Sequence, residues 1–301
     1  MSFSQRCKKE VMKKDPISVE GELVSILHFV GSIRIKRWSY YIKFETDSNI
    51  KARYIYNLVK ILYNYSPTFE ILDKKSRRDF KVIVEDSHIS EDLIAKKEDG
   101  FIDNFSDIEE VDLDDIKSFL KIAFIYKGSI NDPQRGYNLE IIARDDRELR
   151  LIKESMETFE LNPKVYTRSD YYIVYLKDSD KISDFLALIG ANKSLFELEN
   201  VKAMKSIRNN INRQTNFDKA NIDRTVKASL RQVDAINYLR GVGGLDDFND
   251  EMKEIARLRI ENPYISLEEL GNLMDPPMTK AKINYRLQKF IKLAEEGYDG
   301  K

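Results

Sequence analysis

Leu23-Val24-Ser25-Ile26-Leu27-His28-Phe29-Val30-Gly31-Ser32-Ile33 and, 97 positions later, Leu120-Lys121-Ile122-Ala123-Phe124-Ile125-Tyr126-Lys127-Gly128-Ser129-Ile130 are the stretches on which the fold turns. Each is a largely apolar run closed by Gly-Ser-Ile. The likeness extends outward, because the same offset places Tyr40, Ile42 and Phe44 on Tyr137, Leu139 and Ile141. With the offset closing to 96 and then 92, Pro67 meets Pro163, and the run from Phe80 to Ser87 meets the run from Tyr172 to Ser179. Self-similarity of this length marks two copies of one structural unit.

Each copy has the same pattern. An apolar helix, about 18–30 and 113–127, stops at a glycine, where a missing Cβ permits the left-handed turn that ends many helices. Two strands follow. Tyr40, Ile42 and Phe44 alternate with Tyr41, Lys43 and Glu45, the period of a strand with one face buried and one open. An amphipathic helix (about 49–64 and 146–160), a strand pair (68–84 and 164–177) and a closing helix complete an αββαββα unit, twice. The fold class expected is α+β.

An apolar helix ending Gly-Ser and opening a duplicated αββαββα unit resembles the LAGLIDADG homing-endonuclease fold. That resemblance implies two first helices packed together beneath a saddle-shaped sheet. It also implies an acid immediately before each glycine, where it would hold a divalent ion, because in-line phosphodiester attack needs a cation on the attacking and leaving oxygens. Here those positions are Val30 and Lys127. Valine has no oxygen to ligate, and a lysine ammonium repels a cation. Both half-sites are expected to be catalytically dead former metal positions, and no metal or other cofactor is expected. The saddle could still offer Arg34, Lys36, Arg37 and Lys43, but the matching stretch of the second copy has little beyond Arg135, so symmetric groove binding is not expected.

Composition sets further bounds. A chain of 301 residues exceeds one comfortable core. No apolar run reaches the ~20 residues of a bilayer helix, and residues 1–14 lack the uninterrupted apolar core of a secretory signal. The expectation is a cytoplasmic protein without a membrane partner. The single cysteine, Cys7, and two histidines, His28 and His88, make no zinc set. The net charge of −1 conceals a distribution: residues 1–86 carry 17 Lys and Arg against 11 Asp and Glu, 87–120 carry 3 against 11, and 191–240 carry 10 against 5. Affinity for nucleic acid follows local potential rather than the total, so the two basic zones leave that partner open.

Residues 247–294 read as three short helices. The second begins at Ser266-Leu267-Glu268-Glu269, a capping box, and stops before Pro276-Pro277, which lack amide hydrogens. The third begins at Thr279, a good cap. A supporting helix followed by helix, tight turn and helix is the helix-turn-helix layout. From Met278 to Ala294 there are five cations and no acid. Ile283, Leu287, Phe290 and Ile291 share one face, the core side. Thr279, Lys280, Lys282, Tyr285, Arg286, Gln288, Lys289 and Lys292 are therefore the candidate DNA-contacting residues, with those nearest the helix start approaching base edges and later cations meeting phosphate. Between the two parts, 201–240 reads as helical with a break near Asn216. Lys202, Lys205, Arg208 and Arg213 are possible additional DNA contacts, a solvated linker helix being the equal alternative, and Gly241-Val242-Gly243-Gly244 reads as a hinge.

Gly136-Tyr137-Asn138-Leu139-Glu140, the run from Asp184 to Ala191, Leu198-Glu199-Asn200-Val201, Asn221 to Thr225 with Arg231-Gln232-Val233, and Asp275-Pro276-Pro277 resemble the WhiA family of bacterial sporulation and cell-division regulators. The resemblance implies a DNA-binding transcriptional regulator in the bacterial nucleoid, not an enzyme, linked to cell division, chromosome segregation and sporulation, with double-stranded DNA as partner. The alternative is an interaction scaffold whose open sheet binds another transcription factor. The expected organisation is 1–190 as a degenerate LAGLIDADG-like domain, with repeats at about 17–95 and 113–190, then 191–240 as a basic helical linker and 241–301 as the helix-turn-helix domain.

Overall fold

The computed structural model describes residues 1–74, 77–100, 102 and 111–297. Part of the acidic band and the last four residues of the expected third domain lie outside them. The chain divides into two compact units, Met1–Lys205 and Ser206–Lys301.

In the first unit, α1 (Phe3–Val11) precedes the first repeat, which runs α2 (Val19–Val30), β1 (Gly31–Lys36), β2 (Ser39–Thr46), α3 (Asn49–Tyr63), β3 (Thr68–Lys74), β4 (Arg77–Val84) and α4 (Ser87–Asp99). The second repeat runs α5 (Leu113–Lys127), β5 (Gly128–Ile130), β6 (Leu139–Ala143), α6 (Asp146–Glu157), β7 (Lys164–Arg168), β8 (Tyr171–Leu176) and α7 (Ser179–Leu188). The αββαββα order expected from the repeat is present in both copies. Both sheets are antiparallel, ordered β1-β2-β4-β3 and β5-β6-β8-β7. Gly31 faces Phe44 and Gly128 faces Ile141, so the registers coincide at the 97-residue offset.

The glycines that close α2 and α5 act by a different mechanism from the one expected. Gly31 and Gly128 are extended, with φ of −79° and −86°, and neither is left-handed. Each amide bonds back, to Leu27 O and Phe124 O. A Cβ on Gly31 would sit 2.4 Å from Leu27 Cδ1 and 2.6 Å from its carbonyl oxygen, and one on Gly128 2.5 Å from Phe124 Cδ2. The helix turns straight into a strand over its own last turn, and only glycine leaves room.

The two repeats are joined by α2 against α5, burying Leu23, Ile26, Leu120, Ile122, Ala123 and Phe124. Inside this seam lies an ion pair. Lys121 Nζ is 2.7 Å from Glu22 Oε1, with the two side chains 1% and 0% exposed. The same oxygen accepts the Ile17 amide at 2.9 Å, the other oxygen accepts the Tyr54 hydroxyl, and the Lys121 ammonium lies 5.4 Å over the Tyr54 ring. Nearby, the Ser18 amide donates to Ser118 Oγ at 3.1 Å. The strands extend past the core: Ile42 and Phe44 are buried, but Tyr40, expected beside them, is 40% exposed.

Helix α1 arises from a capping box between Ser2 and Gln5 and buries Phe3, Cys7 and Val11. Helix α8 (Asn192–Gly241) is helical throughout, without the break expected near Asn216. No proline or glycine interrupts it before Gly241, and asparagine alone costs too little to end a helix. Leu195, Leu198 and Val201 belong to the first unit's core or pack beside it.

In the second unit, Ile236 and Leu239 of α8 pack with α9 (Asp250–Glu261), α10 (Leu267–Asn272) and α11 (Lys280–Glu296). The expected hinge is a helix stop: Val242, Gly243 and Gly244 amides bond to Tyr238, Arg240 and Leu239 carbonyls, with Gly243 at φ +77°. The capping box at Ser266 and Glu269 and the cap at Thr279 are formed as read. Between them, the Met278 amide donates to Gly271 O at 2.9 Å, and a Cβ on Gly271 would lie 2.1 Å from Met278 O.

Both packings can be tested through stability. Lys121→Met should strand the Glu22 carboxylate in the seam and cost about 3–5 kcal/mol in urea unfolding of the first unit. Adding Glu22→Met should recover most of that loss. Gly271→Ala should destabilise the second unit by about 1–3 kcal/mol, measured as a lower Tm, because backbone must move to admit a methyl.

Candidate nucleic-acid interface

Helix α11 has two sides. Ile283, Leu287 and Phe290 are fully buried and Ile291 nearly so, which fixes the inner face as the sequence requires. On the other side Thr279, Lys280, Lys282, Tyr285, Gln288, Lys289 and Lys292 are exposed, with Tyr285 at 74%.

Internal partners distribute the cations unevenly along this face. Arg286 is half-buried and ion-paired with Glu251 of α9. Lys289 Nζ lies 5.6 Å over the Phe248 ring, and Lys292 Nζ is 3.6 Å from Glu296. Lys280 and Lys282 make no ion pair among the described residues. The uncompensated charge therefore sits in the first turn of α11, next to Asn284, Tyr285 and Gln288. Asn284, not among the candidates read from the sequence, is exposed on that surface.

The cations of α8 divide in the same way. Lys202 is held 2.5 Å from Asp180 and 2.7 Å from Glu199. Lys205 donates to the Pro133 carbonyl at 2.6 Å and lies 4.7 Å over the Tyr137 ring. Both fasten α8 to the second repeat. Arg208 and Arg213 are exposed and unpaired among the described residues.

Val30 and Lys127 occupy the last turns of α2 and α5, each half-buried. Near the end of α5, Lys51 is ion-paired with Asp47 at 3.3 Å. The Lys51 ammonium lies 5.1 Å over the Tyr126 ring, and burial together with Lys51 pushes the Lys8 ammonium down to about 8, against an opposing pull from Asp47. No three His, Cys, Asp or Glu among the described residues are grouped to hold a metal ion. On the sheet, Arg34, Lys36 and Arg37 are exposed and Lys43 is paired with Glu45. At the hairpin tip Trp38 is 99% exposed, beside Ile35 at 65%. No helix among the described residues is long and apolar enough to cross a membrane.

Comparison with known families accounts for nearly the whole length. Residues 18–94 match the WhiA N-terminal LAGLIDADG-like domain, 116–208 the WhiA LAGLIDADG-like domain, and 211–294 the WhiA C-terminal HTH domain. Probable cell division protein WhiA from Clostridium beijerinckii is 34% identical over 310 residues, covering 98% of each chain. The protein of that name from Clostridium acetobutylicum is 35% identical over 316 residues, again with 98% coverage of each. Among solved structures, full-length DUF199/WhiA from Thermatoga maritima aligns with a TM-score of 0.61 and 26% identity, over 99% of this chain and 100% of that one. With matching domains in the same order and relatives of a third identity from end to end, the chain belongs to the WhiA family.

Proposed function

We propose that this protein is a DNA-binding transcriptional regulator linked to cell division, chromosome segregation and sporulation, acting in the cytoplasm at the nucleoid. The observation that carries the proposal is the outer face of α11 up to Lys292, which holds no acid and whose first turn keeps Lys280 and Lys282 without an ion pair among the described residues. Such a face suits the major groove, with side chains near the helix start at base edges and flanking cations on phosphate. Thr279, Lys280, Lys282, Tyr285 and Gln288 are the base-proximal group, and Lys289 and Lys292 the flanking one. Arg286 orients α11 on α9 through Glu251. Arg208 and Arg213 are better placed to meet phosphate than Lys202 and Lys205, which have partners within the protein. The names of the relatives support the link to cell division.

The LAGLIDADG-like unit is proposed to be non-catalytic, since Val30 and Lys127 stand where the fold would place metal-binding acids. A second reading, that its open sheet binds another transcription factor, is favoured by Trp38 and Ile35 exposed at one hairpin.

In duplex titrations, Lys280→Ala/Lys282→Ala should lower affinity at least about tenfold and flatten the dependence of log K on log salt by roughly 1.8, about 0.9 for each phosphate left without its cation. Trp38→Ala should leave both quantities alone. An unchanged slope in the lysine variant would count against the α11 assignment. Supercoiled plasmid held with excess Mg2+ should stay uncut, and nicking that Lys127→Ala alters would overturn the non-catalytic reading.

A further inference from the structure

Within the second unit a cavity of about 310 Å3 opens between the latter part of α8, the end of α9, the start of α10 and the first half of α11. That volume lies at the lower end of ligand-holding cavities, roughly 300–1,000 Å3. One wall is Arg259, only 1% exposed. Its Nη1 donates to Ile265 O at 2.9 Å and Asn262 O at 3.3 Å and approaches Ser229 Oγ at 3.4 Å. Its Nε has no partner, and the guanidinium meets no carboxylate among the described residues. Gln232, 3% exposed, lines the same cavity, and its Oε1 is likewise buried without a partner. Arg224 and Lys280 stand at the rim with one acid, Glu268.

A buried guanidinium satisfied only by neutral carbonyls retains an uncompensated charge, and burial alone depresses its affinity for the proton. Arg259 and Gln232 both line the cavity and each keeps a buried polar atom without a partner, and with a surplus of positive charge around it the cavity suits an anion with several oxygens. A phosphate group supplies them: its oxygens accept from Arg224 and Lys280 at the rim and face the wall that the uncompensated Arg259 guanidinium forms. Gln232 serves in either orientation of its amide, donating through Nε2 when turned over, or accepting from a protonated phosphate oxygen.

We propose that this cavity binds a phosphate group. Lys280, Asn284 and Gln288 belong both to the cavity and to the outer face of α11, so the phosphate comes from the duplex backbone or from a small phosphorylated molecule. The backbone source rests on the DNA-binding reading above; the free one does not.

The test uses the full chain with Arg224→Glu, at an exposed position, and Gln232→Leu, which changes no charge. Thermal unfolding is followed with inorganic phosphate and with pyrophosphate against chloride at matched ionic strength, and duplex binding is titrated with salt. If a small molecule is the source, phosphate or pyrophosphate raises Tm of the wild type by at least about 2 °C over chloride, and both variants lose the shift. If the backbone is the source, Arg224→Glu flattens the salt slope by about one and Gln232→Leu weakens the duplex at least about threefold with its slope intact. Wild type with no Tm shift, together with variants that bind duplex like wild type, overturns the proposal. A chain that binds no duplex would defeat the DNA-binding reading while the Tm comparison still decides the cavity.

Discussion

The ion pair between Glu22 and Lys121 is the constraint on which the first unit depends. Its charges lie in the seam where α2 and α5 exclude water, so the attraction is poorly screened, and the cost of desolvating both groups requires each to stay bonded. Glu22 is tied by the Ile17 amide, the Tyr54 hydroxyl and the lysine, which brings α3 and the chain entering α2 to the same point. The apolar side chains of the seam interdigitate, and a buried pair that is satisfied in one register adds a penalty for any shift. The sheets follow from that register, since each begins at the glycine that closes a seam helix.

The second unit solves a different problem, that of presenting charge. Its core holds one side of α11 by Ile283, Leu287 and Phe290, and Arg286 to Glu251 secures the helix against α9. Cations that the core or neighbouring acids take up are lost to a ligand. On α11 the cations left free of any partner among the described residues are those of the first turn, which the Gly271–Met278 turn brings to the surface.

Features set by neighbours along the chain are legible in the sequence. The alternation in β2, the capping box at Ser266 and the cap at Thr279 each depend on spacings of two to four residues, and each is formed where those spacings place it. Helix α1 is not legible, because its buried residues, Phe3, Cys7 and Val11, are four apart amid lysines and resemble a polar tail. The positions of Gly31 and Gly128 are plain from the repeat but their role is not, because the side-chain collision they avoid exists only once the strand folds back on the helix. Glu22 and Lys121 look like polar intrusions in apolar runs, their pairing being 99 positions apart. Arg259 likewise reads as one more cation on an amphipathic helix, and only the approach of α8 and the α9–α10 loop buries it.

At the repeat offset, Lys121 is equivalent to Val24 and Glu22 to Phe119. The charged pair is thus the least symmetric part of a molecule built by doubling. Two copies of the first half meeting as the halves do would set each carboxylate against a valine, and two copies of the second would oppose each ammonium to a phenylalanine. Each half carries one partner of the pair and lacks the other, so the seam as it stands takes one copy of each half and not two of either.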